Sequence, residues 1–376
     1  MLKSIKDSPF SLSQKISKDD SIVWLKKSNK YLVLNSKILQ LIKNKSSLSS
    51  DDFLVEITES LNVSSGIAKK IDKDISELLL ETKQIKLKPV KEHSIKIKDC
   101  KMIHHYYFND TCVKICFDNE ETKSLIHPKY SHLAIDNTKN FDVEFKIFKT
   151  VNKLVIFKNS QHVGSWSNSE LHEFQGKFSM ELICSFYNKT EHDWMGVFHA
   201  STISKDNRSI MFTGNSGNGK STLISILMSN GYNIIADDFT PILREDFKTY
   251  CFPSAISVKE KSFELVESIH PVITDLKEYF INELKGNVKY LPPITNKINT
   301  NCKSVVWVKY DKDSLNNLEE ISKATAIQKF LPDAWISNQD VNAKAFMKWI
   351  TQTNFYELNY SDNKKLISLV DSLFLD

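Results

Sequence analysis

Residues 212–223 read Phe-Thr-Gly-Asn-Ser-Gly-Asn-Gly-Lys-Ser-Thr-Leu, and Gly214 to Ser221 match the pattern G-x-x-x-x-G-K-[ST] at every fixed position. Each residue type has a physical task. Gly214, Gly217 and Gly219 can adopt positive φ and let the backbone approach a ligand closely. The loop amides, running through Asn215, Ser216 and Asn218 to Thr222, can then cradle phosphate oxygens. Lys220 would set a point charge on the β- and γ-phosphates, and the Ser221 hydroxyl is a Mg2+ ligand type. The flanks supply the context that the pattern needs. Ile210-Met-Phe-Thr213 is a short buried-strand pattern. Ser221 to Met228, apolar at Leu223, Ile224 and Leu227, predicts a helix stopped by Asn230-Gly231. A helix opening inside the loop turns its positive dipole end toward the phosphates.

Outward on the C-terminal side, Tyr232-Asn-Ile-Ile-Ala236 predicts a strand ending in Asp237-Asp238, 18 positions after Lys220. Paired carboxylates there can hold Mg2+ and accept a proton from an attacking hydroxyl. One of Asp237 and Asp238 is expected to be the base and the other a metal-site carboxylate, and residue types leave open which. The competing reading of the pair is a solvated turn.

The stretch from about Trp194 to Pro241 resembles the core of HPr kinase/phosphorylase and its relatives. There a G-x-S-G-x-G-K-S loop is followed by a helix, a Gly and an Ala-Asp-Asp strand end, as in Asn230-Gly-Tyr-Asn-Ile-Ile-Ala-Asp-Asp238. The family's upstream His is matched by His199 in Val197-Phe-His-Ala-Ser201. The resemblance implies a fold akin to phosphoenolpyruvate carboxykinase, with ATP- and Mg2+-dependent phosphorylation of a serine hydroxyl on a protein. It gives Asp237, Asp238, His199 and Lys220 as catalytic residues, 214–222 as the nucleotide loop, and Ser221, Asp237 and Asp238 as the metal site. The family's downstream glycine-rich signature has no counterpart, so neither HPr as acceptor nor the reverse reaction is implied.

Residues 1–88 have a different texture. Ser21-Ile-Val-Trp-Leu25 and Lys30-Tyr-Leu-Val-Leu34 read as a hairpin around Lys26–Asn29. Three helices follow: one near Lys37–Lys43, one capped by Ser49 with Asp52 three residues on, and one after Ser65 with Ile67, Ile71, Ile75 and Leu78 on one face. This pattern resembles a PqqD-type peptide-recognition domain, in which a leader peptide adds as a strand to the sheet edge. Such a domain fused to an HPr-kinase-like core resembles kinases that tailor ribosomally made peptides. A DNA-binding winged helix is the alternative, ranked lower because no helix carries a basic, base-reading stripe. Residues 89–193 alternate as short strands broken by Asn, Asp, Ser and Gly, and predict an antiparallel β-rich middle domain. Residues 194–376 alternate strand and helix, closing with a helix at Ala343–Thr351, a strand at Asn354–Asn359 and a helix at Lys364–Phe374. The fold class expected is α/β: a P-loop core with a mixed sheet, preceded by the β-rich region and a winged-helix-like N-terminal domain.

Composition agrees with this partition. The 376 residues are 41% hydrophobic and 26% charged, which excludes wholesale disorder and fibrous repeats. A net charge of +4, carried almost wholly by lysine with only Arg208 and Arg244 as arginines, gives no support to a nucleic-acid binder. Abundant Lys, Asn and Ile read as base bias in the genome. Cys100, Cys112, Cys116, Cys184, Cys251 and Cys302 are too scattered for a secreted disulfide scaffold. The N-terminus lacks a signal-peptide apolar region, and no stretch has the length of a membrane span. A cytoplasmic location without membrane contact is therefore expected, and oligomeric state, a homo-oligomer included, is left open.

Lesser signals weigh less. His104-His105 near Cys112 and Cys116 invite a zinc reading, but adjacent histidines on a strand point to opposite faces. Arg244, Lys259 and Lys289 are candidate phosphate cations by position alone, and the Lys-rich run at 85–98 reads as a solvated linker. The first expectation is a kinase acting on serine or threonine of a peptide or protein held through residues 1–88. A small-molecule hydroxyl kinase and a non-catalytic nucleotide sensor are the alternatives.

Overall fold

Leu12–Lys15 (β1), Asp20–Leu25 (β2) and Lys30–Asn35 (β3) form an antiparallel three-stranded sheet, followed by Ser36–Asn44 (α1), Ser50–Leu61 (α2) and Ser65–Glu81 (α3). The structure is a computed structural model and describes residues 10–81, 95–99, 101–136, 138–283, 286–296 and 298–375. The expected boundary near residue 88 and most of the 85–98 run lie outside the described residues, as do residues 1–9 and Cys100. The hairpin and three helices stand where the sequence pattern puts them; β1 was not foreseen. Ser49 caps α2 by accepting from the amide of Asp52, and Asn62 closes it in the left-handed region at φ 54°. Period-2 alternation buries both sheet faces: Val23 and Leu25 pack on the helices, while Ile22, Trp24 and Tyr31 join the core around Phe346.

The middle region carries Met102–Phe108 (β4), Thr111–Phe117 (β5), Glu120–Ser124 (α4), His127–Tyr130 (α5), Ala134–Ile135 (β6), Val143–Lys149 (β7), Leu154–Lys158 (β8), Gln161–Trp166 (β9) and Leu171–Phe186 (α6). Its six strands run in the order β6-β4-β5-β7-β8-β9. Two features correct the antiparallel expectation. β5 and β7 are parallel, because α4 and α5 form a crossover between them. Helix α6 also covers the sheet, burying Phe174, Phe178 and Leu182 against Ile115, Phe117 and Phe145. That i, i+4, i+8 stripe, after a capping box at Ser167 and Glu170, was legible as a helix and was masked by Gly176 and the aromatic content.

The remaining elements are Trp194–Phe198 (β10), Ser201–Lys205 (β11), Arg208–Thr213 (β12), Lys220–Ser229 (α7), Asn233–Ala236 (β13), Thr240–Leu243 (β14), Lys248–Tyr250 (β15), Ile256–Lys259 (β16), Phe263–Ile269 (α8), Tyr279–Asn282 (β17), Gly286–Leu291 (β18), Asn299–Tyr310 (β19), Asn317–Glu320 (β20), Lys323–Phe330 (α9), Ala334–Ile336 (β21), Asp340–Gln352 (α10), Asn354–Tyr360 (β22) and Asn363–Ser372 (α11). A ten-stranded mixed sheet runs β13-β11-β12-β19-β15-β14-β10-β21, with β22 parallel to the second half of β19 and β20 beyond it. Helices α7 and α11 close one face through Leu223, Leu227, Leu366 and Val370. On the other face α10 stacks Phe346 and Trp349 on Phe198. Strands β16, β18 and β17 form a separate small sheet beside α7. The chain is mixed α/β, and among the described residues no helix is long and apolar enough to cross a membrane.

Candidate functional site: a phosphate loop facing two carboxylates

Register brings the site together. β11 lies antiparallel between β12 and β13, with Ser201 opposite Phe212 and Thr202 opposite Ala236. The loop leaving β12 and the Asp237-Asp238 pair leaving β13 therefore emerge side by side, with the first residue of β11 between them. β10 ends at the same edge and delivers His199. In the loop Gly217 and Gly219 have φ of 94° and 85°, and a Cβ on Gly214 would sit 2.7 Å from the Val308 carbonyl oxygen. Asn218 fastens the loop to β19: its Nδ2 donates to Val308 O at 3.0 Å, and its carbonyl accepts from the Tyr310 amide at 3.3 Å.

Lys220 is buried and its Nζ donates to the carbonyl oxygens of Gly214 (2.7 Å) and Asn215 (3.4 Å). Burial lowers its pKa against the opposing pull of Asp238, Asp237 and Asp333, while Lys259 lowers it further. Ser221 Oγ lies 3.1 and 3.4 Å from the two carboxylate oxygens of Asp237. Asp237 is 2% exposed and accepts three further hydrogen bonds: Ser201 Oγ donates to Oδ1 at 2.5 Å, the Ser257 amide to Oδ2 at 3.1 Å, and Ser254 Oγ to the main-chain carbonyl at 3.2 Å. Burial, and then the adjacent Asp238 charge, hold its carboxyl above the usual range, while these donors pull the other way.

Asp238 differs in every respect. It sits in the left-handed region at φ 62°, a conformation Asp tolerates better than most residues, and its side chain is 37% exposed. His199 Nε2 lies 3.8 Å from its Oδ1, and the His199 amide donates to the Asp333 carbonyl at 3.2 Å. Tyr290 is close enough that Asp238 adds to the raised pKa that burial gives its phenol. Lys259 Nζ reaches Ser216 Oγ at 3.4 Å, and Thr222 Oγ1 shares a 2.8 Å hydrogen bond with Ser262 Oγ.

All the residues singled out as catalytic, loop and metal-site groups thus converge. Of the weaker cation candidates only Lys259 is at the loop. Arg244 lies at the far end of β14, against Asp193 and Asn342, and Lys289 pairs with Glu267 on α8. The residues not foreseen are Ser201, Ser254 and Ser257, which hold Asp237, and Asp333; Ser201 and Ser257 are placed by their strands, and Ser254 and Asp333 by the turns before β16 and β21, none of it visible to motif spacing. Ser221 and Asp237 present neighbouring hard oxygen donors, a donor type that suits Mg2+. Among the described residues no group of three or more His, Cys, Asp or Glu side chains could form a metal cage. The His104 and His127 rings lie 4.6 Å apart, tilted by 33°, and among the described residues they belong to no group of three or more ligand-type side chains that could hold a metal.

A second feature lies one strand away. β3 and β21 are edge strands of their sheets and, with α9, border a cleft of about 520 Å³ lined by Tyr31, Val33, Gln328, Leu331 and Trp335. Asn29 ties the two units at its mouth, accepting from Trp24 Nε1 at 2.9 Å and donating to Ile336 O at 2.8 Å. β21 pairs Ala334, in the cleft wall, with Phe198, the residue before His199.

No protein-family model matches the chain, and no curated protein matches it. Among solved structures it is similar to the HPr(Ser) kinase/phosphatase from Coxiella burnetii, with 13% identity and a TM-score of 0.24, over 48% of this chain and 96% of that one. At that TM-score the likeness carries no weight for the chemistry.

Proposed function

We propose that the chain is an ATP- and Mg2+-dependent kinase that transfers the γ-phosphate to a serine or threonine hydroxyl of a peptide or protein. The observation that carries this reading is the division of labour between the two carboxylates. Asp237 is buried against the Ser221 hydroxyl of the glycine-rich loop, while Asp238 is partly exposed beside His199. Loop amides, Lys220 and Lys259 bind the triphosphate. Ser221 and Asp237 would hold Mg2+, which would supply neutralisation of developing charge on the phosphoryl oxygens. Asp238 takes the proton of the acceptor hydroxyl as its oxygen bonds to the γ-phosphorus and the bond to the ADP oxygen breaks. His199 keeps the Asp238 carboxylate turned toward that hydroxyl.

The peptide character of the acceptor rests on the cleft. An extended segment can pair through its main chain with the outer edge of β3 or β21, and Ala334 in the cleft wall pairs with Phe198, next to His199. This is the recognition role expected for residues 1–88. The test incubates purified protein with γ-labelled ATP, Mg2+ and a lysate of its host, with the Asp237→Asn/Asp238→Asn double variant as control. Label in a peptide or protein band that disappears in the control supports the proposal. Label confined to small molecules would replace the acceptor class, and saturable ATP binding without transfer would leave a nucleotide sensor.

A further inference from the structure

We infer that Ser201 is a positioning residue: its buried hydroxyl fixes the Asp237 carboxylate in the orientation that serves the metal–nucleotide complex. The inference rests on the kinase reading above. Ser201 is fully buried at the first position of β11, and its Oγ donates to Asp237 Oδ1 at 2.5 Å. On the other side, the Ser257 amide at the second position of β16 donates to Oδ2 at 3.1 Å. Ser221 Oγ stands within 3.1–3.4 Å of both oxygens, but a hydroxyl carries one proton and its oxygen turns to a cation when one is bound. What remains is one fixed donor per carboxylate oxygen, each from a different strand. Two donors, one on each oxygen, resist rotation of the carboxylate about the Cβ–Cγ bond more than the Ser257 amide alone would.

The neighbouring residue supplies the contrast. Thr202 is also fully buried on β11, but its hydroxyl meets Thr240 Oγ1 at 2.9 Å on the opposite face of the strand and touches neither carboxylate. Ser201→Ala and Thr202→Val each delete one buried hydroxyl from the same strand. A merely structural role makes them equivalent, and a positioning role separates them.

The experiment measures Mn2+, as a spin-active substitute for Mg2+, by electron paramagnetic resonance with the full chain and AMP-PNP. Metal-free AMP-PNP binding is measured in parallel with chelator present. Ser201→Ala is expected to weaken Mn2+ by about 10- to 100-fold, the range for losing a group that orients a metal ligand, while metal-free binding holds. Ser201→Thr restores the affinity, and Thr202→Val leaves it unchanged. Should Ser201→Ala not fold, Ser201→Cys carries the same expectation, since a thiol fills the space but donates weakly. Ser201→Ala with wild-type Mn2+ affinity, or an equal loss in Thr202→Val, overturns the inference alone. A wild-type chain that binds AMP-PNP and Mn2+ in no combination overturns the kinase reading and the inference together.

Discussion

The ammonium of Lys220 donates to the carbonyl oxygen of Gly214 at 2.7 Å, so the lysine of the glycine-rich loop is bound to the first residue of its own loop. A buried ammonium needs such partners, and backbone oxygens are weaker ones than phosphate. The first prediction follows from that exchange. Lys220→Ala lowers label transfer by about 10²- to 10³-fold or more, the range for removing one charge-stabilising donor. A variant that keeps wild-type transfer while folded would refute the loop assignment.

The two carboxylates are expected to fail differently. Asp237→Asn replaces an acceptor of three donors at the Ser221 site and should weaken metal-dependent nucleotide binding. Asp238→Asn leaves that network in place and should lower kcat by about 10²- to 10⁴-fold, the usual span for a general base. Calorimetry with AMP-PNP and Mg2+, set beside single-turnover transfer, separates the two. The reverse pattern, with Asp238 controlling binding and Asp237 only turnover, would exchange their roles.

Recognition through the cleft can be tested without removing the N-terminal unit. Trp24 and Tyr31 share a core with Phe346 and the Tyr31–Phe346 rings meet edge-on at 4.9 Å, so deletion of residues 1–88 would expose apolar surface as well as remove a binding edge. Gln328 is exposed on α9 at the cleft wall, where a larger side chain costs little stability. Gln328→Trp should raise the KM for a peptide acceptor by about tenfold, equivalent to losing about 1.4 kcal/mol of binding, with ATP binding unchanged. An unchanged peptide KM would take the acceptor away from this cleft.

The strand-loop-helix of β12 and α7, the Asp237-Asp238 turn and the N-terminal hairpin were legible because each depends on local rules: glycine at positive φ, a capping serine, alternation with a fixed period. Ser201 and Ser257 were not legible, since neither belongs to a motif. They meet Asp237 only because β11 pairs with β13 and because β16 crosses beside the loop. Arg244 shows the converse. Its place six residues after Asp238 suggested the site, but β14 runs the length of β10 away from His199 and carries it to the other end. Helix α6 had a readable stripe, yet its aromatic residues have strand preference as isolated residues, and tertiary cover over β5 and β7 decides the matter.

The last prediction concerns acid stability. His132, in the turn after α5, is largely buried, and burial lowers its imidazole pKa from 6.5 to about 4. A depressed folded pKa means that the unfolded chain binds the proton first as pH falls. The neutral imidazole's stabilising contribution is complete above pH 6.5, declines below it, and is lost once the pH passes through about 4. A separation of this size corresponds to about 3 kcal/mol across the window. His132→Gln removes the titration, so urea unfolding of the variant between pH 7 and pH 4 should show a shallower loss of stability than the wild type. Parallel curves for the two proteins would mean that the acid limb originates elsewhere, with the similarly depressed His127, also brought to about 4 by burial and by its neighbours His104 and Lys123, as the next residue to replace.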